Sequence, residues 1–88
     1  MGAQGARALG LSGSRAKDLE LRAAWLNIAG EALARRASVI ALRRGVLELR
    51  VHDETWRRVL EDLLPEIGAR FARLHADLGV TRFRLVVQ

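Results

Sequence analysis

Around Ser38 the apolar residues of this chain stop recurring at helical spacing and begin to alternate, and that change of period decides most of what it can fold into. The run from Val46 to His52, VLELRVH, puts Leu47, Leu49 and Val51 on one side of an extended strand. Glu48, Arg50 and His52 fall on the other side. Ahead of it, Ser38 to Leu42 (SVIAL) is a short segment with β-branched residues. Arg43-Arg44-Gly45 between them supplies a tight turn, with Gly45 free to take positive φ. The two runs predict a hairpin with one buried face.

Helical spacing flanks the hairpin on both sides. From Asp18 to about Ala37, a stripe of Leu19, Ala23, Leu26, Gly30, Leu33 and Ala37 is widened by Trp25, Ile28 and Ala29. Asp18 and Glu20 suit the positive end of the helix dipole, and Arg35 and Arg36 the negative end. Gly30 costs about 1 kcal/mol against Ala inside a helix, and fits a place where a neighbouring element approaches the backbone closely. After the hairpin, Asp53 is an N-cap candidate. Trp56, Leu60, Leu63, Ile67, Phe71, Leu74 and Leu78 then recur every three or four residues as a second core-facing stripe. Pro65 predicts a kink or a break near Leu64, and Gly79 ends the helix. Thr81 to Val87, TRFRLVV, reads as a third strand with Phe83, Leu85 and Val87 inward.

The element order is α-β-β-α-β, or α-β-β-α-α-β with a break at Pro65, which is an α+β chain. A strand–helix–strand connection crosses over right-handed and leaves its strands parallel. The expected product is a three-stranded mixed sheet with helices on one face. The other face is left open, carrying Glu48, Arg50, His52, Arg82 and Arg84.

Eighty-eight residues are enough for one domain. It is expected over residues 17–88, after a mobile lead-in rich in Gly, Ala and Ser over residues 1–16. The chain has no cysteine, hence neither a disulfide framework nor a thiolate metal site. No uncharged apolar run approaches the ~20 residues that span a bilayer. The first residues lack the charge and apolar pattern of a secretory signal, so the expected location is the cytoplasm. The net charge of +5 is uneven: residues 1–44 carry eight Lys/Arg against three Asp/Glu, whereas residues 45–88 carry seven of each. The basic surplus lies in the first half, where it would attract a polyanion.

Little in the sequence suggests catalysis. His52 and His75 sit on different elements, and no cluster has metal-ligand spacing. His75 reads as a residue at the rim of the long helix's stripe, and His52 as a phosphate or partner contact. Ser12, Ser14 and Ser38 have no neighbouring base. The early glycines do not follow a strand and form no phosphate loop. Glu54, Glu61 and Asp62 stand three or four residues from Arg57 or Arg58, a self-neutralising face. What remains are the arginines: Arg35 and Arg36 at a helix end, Arg43 and Arg44 at the hairpin tip, and Arg50, Arg82 and Arg84 on the open sheet face. A hairpin folded back beside the helix end would bring the two pairs into one strip. Arg suits phosphate through its planar fork of donors; equally, tips and open faces are polar in any soluble domain. Both tryptophans fall on apolar stripes, and Trp56, in the first turn of its helix, is the better candidate for stacking a base.

Taken in order, W-L-N-I-A-G (Trp25 to Gly30), V-I-A-L-R-R-G-V-L-E-L-R-V, D-E-T-W-R-R-V-L-E-D-L-L and G-V-T-R-F-R-L resemble the DciA family of bacterial proteins over about residues 17–88. The resemblance implies a KH-like fold. It also implies a role in DNA replication, in which the protein assists loading of the replicative DNA helicase and binds single-stranded or forked DNA without hydrolysing ATP. No cofactor, small-molecule substrate or membrane is implied. The G-x-x-G loop of nucleic-acid-binding KH domains is replaced by L-L-P-E-I-G, so contact with DNA falls to arginines elsewhere. Two other readings stand beside this one: a KH-like RNA-binding module, and an adaptor that binds only protein.

Overall fold

The computed structural model describes residues 17–88; the expected lead-in lies outside them. The chain is helical over residues 17–29 (α1). A one-turn helix α2 (Glu31–Ala34) follows, then strands β1 (Ala37–Arg43) and β2 (Val46–Val51), the long helix α3 (Glu54–Leu74), a 3₁₀ turn (Ala76–Leu78) and strand β3 (Arg82–Val87). β2 is the central strand, antiparallel to β1 and parallel to β3. This is the expected α+β architecture, with α1 and α3 covering one face of the sheet.

Alternation in β2 works as the sequence predicts: Leu47, Leu49 and Val51 are fully buried. Arg44 and Gly45 both take positive φ, 52° and 82°, the pairing a two-residue hairpin turn needs to match strand twist. The Gly45 carbonyl accepts from Thr81 N at 2.7 Å, Arg82 N at 3.0 Å and the Thr81 hydroxyl at 3.1 Å. The hairpin tip is thereby latched to the start of β3. A methyl group at Gly45 would lie 2.5 Å from Thr81 Oγ1, so glycine is needed there for space as well as for φ. In β1 the register slips between Val39 and Ala41. Ile40 is the extra residue of a bulge, which twists the strand and leaves that residue partly exposed.

The helices depart from the expected stripes. In α1 the buried residues are Leu21, Ala24, Trp25 and Ile28, whereas Leu19 and Leu26 are 62% and 50% exposed and Ala23 faces solvent. The helix is apolar on two opposite faces, and the face bearing Trp25 went inward. Trp25 fills the larger volume there, and its indole N–H donates to the buried carbonyl of Ala37 at 2.9 Å. Helix α1 does not run on to Ala37, because Gly30 breaks it at φ 86°, ψ 160°, a conformation essentially confined to glycine. Among the described residues nothing lies within 4 Å of a Cβ built at Gly30, so the residue serves backbone geometry there and not close packing. Arg70 reaches across from α3 to donate to the Ile28 carbonyl at 3.1 Å, satisfying an acceptor the broken helix leaves open.

Asp53 caps α3, accepting from Trp56 N at 2.9 Å. Leu60, Ile67 and Phe71 are buried and Leu64 packs against them, whereas Leu63 and Leu74 are exposed. The helix is not broken at Pro65: it is continuous from Glu54 to Leu74. Pro65 is exposed, so the lost hydrogen bond falls where water reaches the freed carbonyl, while Leu64 and Ile67 hold the inner face. The extra helix that sequence places after Pro65 therefore arises at Gly30 instead. Gly79, at φ 70°, closes the 3₁₀ turn and not α3 itself. In β3, Phe83 and Leu85 pack on the core. Val87, expected inward, is 41% exposed, because among the described residues β3 is an edge strand paired with β2 alone.

Candidate nucleic-acid interface

Register fixes the open face of the sheet. Arg43, Val46 and Arg82 lie in one cross-strand row, Ala41, Glu48 and Arg84 in the next, and Ser38, Arg50 and Val86 in the third. Neighbours within a row are about 4.8 Å apart, and the rows are about 6.7 Å apart. Four of the sequence-predicted arginines, Arg43, Arg50, Arg82 and Arg84, thus share one surface that no other described residues cover. Arg44 stands beside them in the turn, which the Gly45 latch holds against Thr81 and Arg82. All five are exposed. Arg84 is drawn toward Glu48 at 3.7 Å. Among the described residues, Arg43, Arg44, Arg50 and Arg82 have no carboxylate within ion-pairing distance.

The other predicted pair lies elsewhere. Arg36 immediately precedes β1 and Arg43 is its last residue, a separation of about 20 Å along an extended strand. The hairpin runs away from the helix end and does not fold back beside it, so the two arginine pairs do not form the expected strip. Pairing of Ala37 with Val51 instead sets Arg36 opposite His52. Together with Ala32, Arg35 and Trp56 they line a cleft of about 530 Å³. The Arg36 guanidinium lies 5.2 Å from the centroid of the Trp56 ring, within cation–π range. His52 Nε2 is 3.2 Å from the Arg35 carbonyl, and Arg35 approaches Glu31 at 3.5 Å. Trp56 is half-buried, its inner edge against the core. The sequence names Arg35, Arg36, His52 and Trp56 singly; their meeting depends on strand register and on the Asp53 cap.

The rest of the charged surface is largely occupied with itself. Arg57 is held by Glu54 and by Glu61, the latter at 2.6 Å. Hydrogen bonding from Arg57 holds the Glu54 carboxyl below the usual glutamate range. Arg58 lies 3.9 Å from Glu54, while Asp62 pairs with neither arginine. Arg70 pairs with Glu66 at 2.6 Å. His75 is half-buried as a rim residue, its ring tilted against Phe71 with centroids 6.1 Å apart. Among the described residues, no three His, Asp or Glu side chains converge as a metal site, and no helix is long and apolar enough to cross a membrane.

Comparison of the chain with curated proteins and with solved structures returned no match. A family model, described as "Dna[CI] antecedent, DciA", matches residues 2–85. That span takes in the hairpin, the arginine-bearing sheet face and the Arg36–Trp56 cleft, and the chain accordingly belongs to the DciA family, a family of DNA-replication accessory proteins.

Proposed function

We propose that this protein is a non-enzymatic, cytoplasmic adaptor that docks on the replicative DNA helicase and holds single-stranded or forked DNA while the helicase is loaded. Residues 17–88 act as one KH-like domain in this reading, and the uncovered sheet face is its DNA track. The observation that carries the DNA part is the set of Arg43, Arg44, Arg50 and Arg82, clustered on one surface with no carboxylate partner among the described residues. Family membership supports the replication context.

The backbone at Arg44 also favours a role outside the fold. A non-glycine residue at φ 52° is strained, and an arginine is a poor choice for a turn that Asn fits better. An arginine in that place is accounted for by a guanidinium that meets a phosphate. Four phosphate contacts on a single strand give a log-affinity slope of about −3 against log salt. Pull-down of the cognate replicative helicase with and without single-stranded DNA tests the reading directly. Retention of helicase in both cases, with DNA retained alongside, is the expected result. Absence of helicase, or a flat salt slope, would refute the corresponding half.

A further inference from the structure

We propose that the cleft between α2 and the start of α3 is a seat for one unpaired nucleotide, and that it makes binding selective for single strands over duplex. This inference rests on the DNA-binding reading above and gives it a site separate from the phosphate track. The cleft combines what a nucleotide requires and little else: a flat aromatic–guanidinium pair for the base, and cationic side chains for the phosphate. Its lining is Ala32, Arg35, Arg36, His52 and Trp56, with no carboxylate among these residues. At about 530 Å³ it is large enough for one base and its phosphate.

The arrangement sets the order of layers. The inner side of Trp56 packs against the core, and Arg36 lies over its ring. A base therefore enters either between Arg36 and Trp56 or on the outer plane of the guanidinium, extending the stack to three layers. Arg36 has no ion pair to break among the described residues, whereas Arg35 would exchange its long, exposed contact with Glu31 for phosphate. His52, whose Nε2 lies 3.2 Å from the Arg35 carbonyl, lines the same cleft. Bases in a duplex have both faces covered by their neighbours and cannot enter. The sheet face, reading phosphate alone, has no such preference.

The full chain titrated with a short oligothymidylate, with a blunt duplex and with thymidine monophosphate separates the possibilities. Trp25 is buried, so a change in tryptophan emission reports Trp56. Expected are quenching by the oligothymidylate and little change with duplex. Arg36→Ala and Trp56→Leu should each weaken oligothymidylate binding by about tenfold while leaving duplex affinity within twofold. Arg36→Lys, which keeps the charge and loses the plane, should recover only part of the loss. Trp56→Leu touches the core, but Arg36 is exposed, so its variant keeps the test valid if the other unfolds. Equal losses for strand and duplex, or emission indifferent to a strand that demonstrably binds, would overturn the seat and leave the track standing. Quenching by the free nucleotide as strong as by the strand would assign the cleft to a soluble nucleotide and overturn it too. No binding of any DNA would sink both readings.

Discussion

Arg44 shows how one residue can serve the surface at the expense of the fold. Its left-handed backbone costs about 1–2 kcal/mol in a residue bearing a Cβ, and Asn, whose short side chain tolerates that region, relieves part of it. Arg44→Asn is expected to raise unfolding free energy by about 0.5–1 kcal/mol in chemical denaturation while making the DNA salt slope shallower by about 0.7. A variant that is more stable and binds DNA equally well would leave Arg44 without a functional reason. Gly45, next to it, permits no such exchange: its φ, the 2.5 Å that would separate an added Cβ from Thr81 Oγ1 and the three hydrogen bonds to its carbonyl all act at one residue. The sequence disclosed Gly45 as a turn residue but not as the acceptor that ties the tip to β3, because that contact joins residues 36 positions apart.

At the level of elements, the strands were more legible than the helices. Period-two alternation in VLELRVH admits a single assignment of faces, and Leu47, Leu49 and Val51 took it. Helix α1 offered two apolar faces, and spacing alone cannot rank them. The decision belonged to Trp25, through its bulk and its bond to the Ala37 carbonyl. The consequence is measurable. Leu60→Ala, at a fully buried site, is expected to cost about 2–5 kcal/mol, whereas Leu26→Ala, on the outer face, should stay within about 0.5 kcal/mol; paired denaturation curves decide. A large loss at Leu26 would mean that its face is covered in solution. Pro65 misled for a related reason: a proline's effect depends on whether its missing bond faces water or core, and the pattern does not say which.

Across the whole molecule, the sheet separates two groups of arginines that sequence had gathered into one. All the predicted positions are exposed, yet Arg35 and Arg36 end up with Trp56 at one margin of β1, and Arg43, Arg44, Arg50, Arg82 and Arg84 on the open face and tip. Which arginines belong together is a property of register, and no local pattern carries it. Because the ends are about 20 Å apart, Arg36→Ala and Arg43→Ala should act additively on binding of an oligonucleotide long enough to reach both. Their combined free-energy loss should equal the sum of the single losses within about 0.5 kcal/mol, read by fluorescence anisotropy. Strong non-additivity would place both residues on one phosphate cluster. The displaced Ile40 has a further effect at this scale. Among the described residues the three-stranded sheet has two unpaired margins, and an unpaired margin can recruit a foreign strand into a growing fibril. The kink at Ile40 spoils the ladder along one margin. Along the other, any register that sets Arg82 and Arg84 of a second copy against those of the first meets like-charge repulsion, which disfavours templating from that margin.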